Sequence, residues 1–370
     1  MRIAFLSIPK QVDKDLSVDS AYRQSGNNLG NMVFVNAISD QLKYESSVFS
    51  YSLDASTVNN DFDAVVIPAA NWLNPGIDLG GFYEIIKNIK IPCIVIGIGA
   101  QSDDYNNIPK LPDGTIKFLD HVSANSVSIG TRGLFSEKVL HHYGYTSAKA
   151  IGCPSVYWNC SRVAPKVDKK SSFSHDKFVI QGTRHNIPNN SFYTKGVAKT
   201  QREILLKARR ENIPYIIQSE YEELFYVNSS ISDDTSLEKI TARLEGYYNE
   251  KLEDGLSEYL RDKMLYFYDV SSWKKKLSDF DFLLTSRIHG AIMALHAGLP
   301  AMLICHDTRT LEIAEFCGIP HVHLEEYRQN DNLDFLFSSV SYEKLLALYF
   351  DNFIRYRDFL NENSLDNFLS

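Results

Sequence analysis

Hydrophobic and polar positions along this chain are grouped on two length scales that alternate. Short apolar runs of strand length occur at Ile3–Ser7, Ser47–Ser50, Ala64–Ile67, Cys93–Ile96 and Val127–Ile129, and helix-length segments such as Asn31–Leu42 and Leu134–His142 lie between them. That alternation predicts a parallel sheet with helices on both faces, because parallel neighbours need a crossover connection and a helix is the usual one. A polar stretch over Ser161–Asp176, carrying Lys166, Lys169 and Lys170, interrupts the pattern and reads as a linker. A second series follows at Phe178–Gln181, Tyr215–Gln218, Met264–Tyr268, Phe282–Leu284 and Met302–Cys305, interleaved with helices that include one over Ser236–Arg261. The pattern therefore predicts two similar α/β domains, residues 1–165 and 175–340. Tyr342–Leu360 sets Leu345, Leu348, Tyr349, Phe353, Tyr356 and Phe359 on one helical face, so residues 341–370 are expected to hold an amphipathic helix that packs back.

Composition narrows the function classes. A chain of 370 residues with 44% hydrophobic content can bury two cores. Its formal net charge of −8 argues against a general nucleic-acid binder, which needs a basic face. The apolar run in Met1–Pro9 is short for a signal peptide and lacks a small-residue cleavage site, so it reads as a first buried strand. No run approaches the roughly 18 apolar residues that span a bilayer. Five cysteines without Cys-x-x-Cys spacing point away from a disulfide frame or a zinc site. The expectation is a cytoplasmic, reduced protein without a metal or cofactor, with attachment to the inner face of a membrane left open.

The candidate chemistry is concentrated between Asp281 and Arg309. Phe282–Leu284 reads as a strand, and Ser286 as the N-cap of a helix ending near Gly298, beyond which Pro300 cannot extend it. Arg287 and His289 then fall in the first helical turn, where unpaired N–H groups and the helix dipole favour a bound anion and the guanidinium adds a planar fork of donors. The next strand, Met302–Cys305, delivers His306, Asp307 and Arg309 at its carboxyl end, where ligands bind in open α/β sheets. Arg132 and Arg184 also follow strands, and Asn28 and Asn31 lie in the turn after the first one. Gln218 and Glu222 follow the strand at Tyr215 and are candidates for holding sugar hydroxyls. His296, two turns beyond His289, reads as packing. Neither Gly26–Asn31 nor Gly97-x-Gly99 has the spacing of a dinucleotide fingerprint.

The run Ser286-Arg287-Ile288-His289-Gly290, with Ala294, Ala297-Gly298-Leu299-Pro300 and Asp307-Thr308-Arg309, resembles the signature of polysaccharide pyruvyl transferases. Asn28-Leu29-Gly30-Asn31 is similar to that family's N-terminal Asn-x-Gly-Asp, and the stretch from Val127 through Arg132 to Ser136 to its Arg-Asp-x-x-Ser segment. Three places depart from the pattern: Ala69-Ala70-Asn71 replaces a Gly-rich turn, Gly133 stands where Asp is usual, and Cys153 stands before Pro154 where an acidic residue is usual. The resemblance implies two Rossmann-like domains facing each other across a cleft, a GT-B-like layout. It also implies transfer of pyruvate from phosphoenolpyruvate onto a sugar, free or lipid-linked, as a cyclic ketal. On that reading Arg287, Arg309 and Arg132 hold the donor's two anionic groups. His289 either protonates C3 or assists departure of phosphate, and Asp307 orients it or serves as base for the acceptor hydroxyl. Asn28, Asn31 and Arg184 complete the substrate contacts. The alternative is a GT-B-type glycosyltransferase using a nucleotide sugar, with a carboxylate near Glu312 for the donor ribose.

Overall fold

A computed structural model describes residues 1–102, 104–184, 196–228 and 234–370. The first half forms one parallel sheet from β1 (Arg2–Phe5), β2 (Ser46–Phe49), β3 (Ala64–Pro68), β4 (Cys93–Ile98), β5 (Ile129–Thr131) and β6 (Ala148–Ala150), in the order β2-β1-β3-β4-β5-β6. The second half forms another from β7 (Phe178–Gln181), β8 (Tyr215–Ile216), β9 (Met264–Leu265), β10 (Phe282–Thr285), β11 (Ala301–Cys305) and β12 (His321–His323), in the order β12-β11-β10-β7-β8-β9. The fold is the expected pair of Rossmann-like units with flanking helices. The central strands β3, β4, β7, β10 and β11 are buried along their whole length, which is why they read as continuous apolar runs. The short β6 and β12 were not foreseen: Ala-Lys-Ala and His-Val-His have too few apolar residues to stand out.

In each sheet the strand order reverses once, between β1 and β3 and between β7 and β10. Crevices open at the carboxyl ends of strands at such reversals, so the two switch points mark where a ligand can sit. Backbone bonds tie the halves together at this edge, with Leu29 N–H donating to Gln218 O at 3.0 Å and Val12 N–H to Tyr268 O at 3.0 Å.

Two element boundaries differ from expectation. The stretch Ser236–Arg261 is two helices, Asp234–Tyr248 and Leu256–Lys263, because the chain turns through positive φ at Asn249 and Gly255 between them. The C-terminal helix Glu343–Glu362 buries Leu345, Tyr349, Phe353, Tyr356 and Phe359 and returns to the first half, where Tyr356 Oη donates to Gln41 Oε1 at 2.8 Å. Asn363 Oδ1 accepts the Val127 N–H at 3.1 Å, and Glu362 pairs with Lys149. Among the described residues no helix is long and apolar enough to cross a membrane.

Candidate active site

A cavity of about 310 Å³ lies where the two switch points meet, lined from the first half by Asn28, Asn31, Phe34, Asn71 and Arg132 and from the second by Arg184, Gln218, Arg287, His289 and Arg309, among others. Seven of the eight residues singled out in the sequence share its wall: Asn28, Asn31, Arg132, Arg184, Arg287, His289 and Arg309. Asp307 does not line it. Among the described lining residues there are four arginines and two histidines and no carboxylate.

Each cation is held differently. Arg132, 3% exposed, spends its guanidinium on Gly97 O at 2.8 Å, Ala69 O at 3.0 Å and Asn71 Oδ1 at 2.9 Å, and stacks over Phe34. Among the described residues no carboxylate pairs with it. Asn71, in the turn where glycines were expected, thus helps to hold a buried cation. Arg287 donates from Nε to Gly182 O at 2.9 Å and from Nη2 to Ser219 Oγ at 2.6 Å, and it pairs with the buried Glu220. Glu220 is fixed in turn by the N–H groups of Gln218 (2.8 Å) and Ser219 (3.1 Å). Arg184 reaches across to Asn27 O at 3.0 Å. Arg309 bonds through Nε to Asp307 Oδ2 at 2.6 Å.

That last contact corrects the role expected for Asp307. Its carboxylate caps the helix Thr308–Cys317, accepting the Thr310 N–H at 3.0 Å, and sits beside His306 at 3.5 Å. Burial would raise it, but Arg309, His306 and the cap hold it well below the usual carboxylate range. Its oxygens are taken up by Arg309 and the helix cap and it does not line the cavity, so it is set to orient Arg309 rather than to meet a sugar hydroxyl. Glu222, considered for sugar hydroxyls, pairs with Arg243 at 3.1 Å and lies outside the cavity. Glu312 is likewise committed elsewhere. It accepts the Ser136 N–H and Oγ–H at 2.7 Å each, bridging the two halves behind the cavity. Its side chain fills the space that a Cβ on Gly133 would enter, 2.5 Å from Glu312 Cγ, which accounts for glycine at that position.

The helix carrying His289 spans Ile288–Ala297 with Arg287, in extended conformation, as its N-cap. Arg287 is therefore one residue outside the expected first turn, and Ser286 does not cap. The Ser286 hydroxyl, 1% exposed, has no hydrogen-bond partner among the described residues, and neither has Gln218 Nε2, 3% exposed. Buried donors of this kind are normally satisfied, and these two belong to residues that line the cavity. Sequence reasoning missed Ser286 by reading it as a cap, and missed the Ser219–Glu220 support, although both follow a strand end. His289 packs against Phe34, with ring centroids 5.4 Å apart, and its Nε2 lies 4.0 Å from Cys153 Sγ. Burial, then Arg132 and Arg287, push its pKa down to about 3. His296 has its expected packing role: it is half-buried, bonded to Ser155 O at 2.7 Å and set against Trp158.

The sequence profile of the family described as polysaccharide pyruvyl transferase matches residues 28–308, which takes in every residue of the cavity except Gly26, Arg309, Thr310 and Ile313. No curated protein sequence matches the chain. Among solved structures, UDP-N-acetylglucosamine 2-epimerase from Rickettsia bellii is similar at a TM-score of 0.45 and 11% identity, over 98% of this chain and 95% of that one. A putative UDP-N-acetylglucosamine 2-epimerase from Listeria monocytogenes is similar at a TM-score of 0.46 and 10% identity, over 96% and 94%. The S. aureus MnaA structure with UDP is similar at a TM-score of 0.45 and 13% identity, over 99% and 98%.

Proposed function

The chain belongs to the polysaccharide pyruvyl transferase family, and we propose that its donor is phosphoenolpyruvate, whose pyruvyl group it places on two hydroxyls of a glycan sugar as a cyclic ketal. The observation that carries this reading is a small cavity whose described lining holds four arginines, and two buried donors with no partner among the described residues, but no carboxylate. A ligand with a phosphate and a carboxylate close together supplies what such a wall lacks. Arg132, Arg184, Arg287 and Arg309 hold the two anionic groups, with the Ser286 hydroxyl, Gln218 Nε2 and the first N–H groups of the Ile288–Ala297 helix as further donors.

In the reaction C3 of the donor gains a proton and becomes the methyl group, and C2 forms one bond to each sugar oxygen. The C2–O bond to phosphate breaks. Of the two hydroxyl protons, one ends on C3 and the other leaves with phosphate, so no oxidant, reductant or cofactor enters the balance. On this reading His289, which lines the cavity, carries a proton between these atoms. A neutral imidazole accepts one, and the arriving dianion favours its charged form. Arginines stabilise the charge that develops on the departing phosphate. Asn28 and Asn31 shape the facing loop, through Gly30 N–H to Asn28 Oδ1 at 3.0 Å and Asn31 Nδ2 to Ser25 O at 3.1 Å, and so border the acceptor side.

Thermal shift with phosphoenolpyruvate and with UDP-sugars tests the donor. Phosphoenolpyruvate should raise the melting temperature, and phosphate release should then require an added glycan. A rise with UDP-sugars alone would sink the proposal.

A further inference from the structure

The imidazole of His289 faces a buried thiol on one side and cations on the other. Cys153 is fully buried, its Sγ 3.0 Å from Ser155 Oγ and 4.0 Å from His289 Nε2. Arg132 approaches from the end of β5 and Arg287 from the N-cap of the histidine's own helix, while Phe34 covers the ring from the Asn31–Gln41 helix. Arg184, Arg309 and His306 complete the charged and titratable groups of the shared wall. The two nearby carboxylates, Glu220 and Asp307, are committed to Arg287 and Arg309. A proton on His289 would therefore join two guanidiniums with no counterion beside it, and the ring's position low on the acid scale, at about 3, follows from that and from burial.

We propose that Cys153 is a positioning residue for proton transfer: by setting a thiol rather than a carboxylate against Nε2, it leaves the imidazole without a counterion until the anionic donor supplies one, so that donor and proton bind together. This rests on the cavity being the phosphoenolpyruvate site. A phosphate or carboxylate within about 4–6 Å of the ring favours the charged form, and the described lining residues include no carboxylate that would. The acid that delivers a proton to C3 is then armed only in the donor complex.

The test uses nitrogen-15 histidine spectra of the free protein and calorimetry with phosphoenolpyruvate at pH 7 in buffers of different ionisation enthalpy. In the wild type and Cys153→Ser, the His289 ring should be neutral at pH 7 before donor is added. Donor binding should take up about one proton, and His289→Gln should abolish that uptake. In Cys153→Asp the ring should be cationic in the free protein, proton uptake should fall toward zero, and the acid limb of the kcat/KM profile should move. A wild-type ring already cationic at pH 7, or the same ring titration in Cys153→Asp as in wild type, overturns the proposal. If Cys153→Asp does not fold, proton uptake in the wild type still decides it: binding of phosphoenolpyruvate without uptake, or uptake that persists in His289→Gln, overturns the proposal. Absence of phosphoenolpyruvate binding would refute the donor assignment instead, leaving the free-protein spectra to judge Cys153.

Discussion

Among the described residues two of the four cavity arginines have carboxylate partners and two do not, and the difference predicts what each substitution does. Arg287 and Arg309 are oriented by Glu220 and Asp307, so a Lys at either position keeps charge but loses the fork that spans the carboxylate and the ligand. Donor affinity measured by calorimetry should weaken by about 1–3 kcal/mol in each variant, the worth of a charge-assisted hydrogen bond. Unchanged affinity in both would mean the arginines serve only their carboxylates. His289→Gln preserves size and burial, so the melting temperature should hold while turnover falls by about 10²–10⁴, the usual share of a positioned acid or base. More than a tenth of wild-type turnover in a folded variant would exclude a proton-transfer role.

At the scale of elements, the Ile288–Ala297 helix is set close against β7. A Cβ on Gly290 would stand 1.7 Å from Gln181 Oε1 and 2.8 Å from Thr285 Oγ1. Gly→Ala inside a helix ordinarily stabilises by up to about 1 kcal/mol. Here the sign should invert, and Gly290→Ala should lower the urea-unfolding free energy by about 1–3 kcal/mol through overpacking. It should also weaken donor binding, because the displaced turn carries His289. A stabilised variant would show that the helix can shift without cost. The C-terminal helix makes the complementary case. Phe353 is fully buried under it, against Tyr157, and Phe353→Ala should cost about 3–5 kcal/mol.

For the whole molecule, buried ionisable groups predict how stability varies with pH. Burial lowers His289 from 6.5 to about 3 and His296 from 6.5 to about 4. Between those values and 6.5 the unfolded chain holds protons that the folded chain does not, so stability falls as pH drops through that window. Burial raises Glu223 from 4.5 to about 8 and Glu312 from 4.5 to about 7. There the folded chain holds the extra protons, and stability falls as pH rises through 4.5 to 8. The two effects oppose each other between pH 4.5 and 6.5, so urea midpoints should peak broadly in that interval, and a steady rise to pH 8 would contradict the balance. Much of this architecture was legible in the chain, because strand-length apolar runs and helix-length amphipathic segments are local signals. The same holds for the cations at strand ends, since Arg132, Arg184, Arg287 and His289 follow short apolar runs of strand length. What the chain could not disclose is which groups meet across sequence separations of a hundred residues or more. Glu312 reads as a carboxylate for a donor ribose, and only folding commits it to Ser136, 176 positions away; Asp307, read as the partner of His289 or as a base, is committed by its near neighbours instead, to Arg309 and a helix cap. Cys153 reads as a mere departure until packing sets it 136 positions from His289 in sequence and 4.0 Å away in space. Proton affinity depends on such neighbours and on burial, and both exist only once the two sheets have closed on one another.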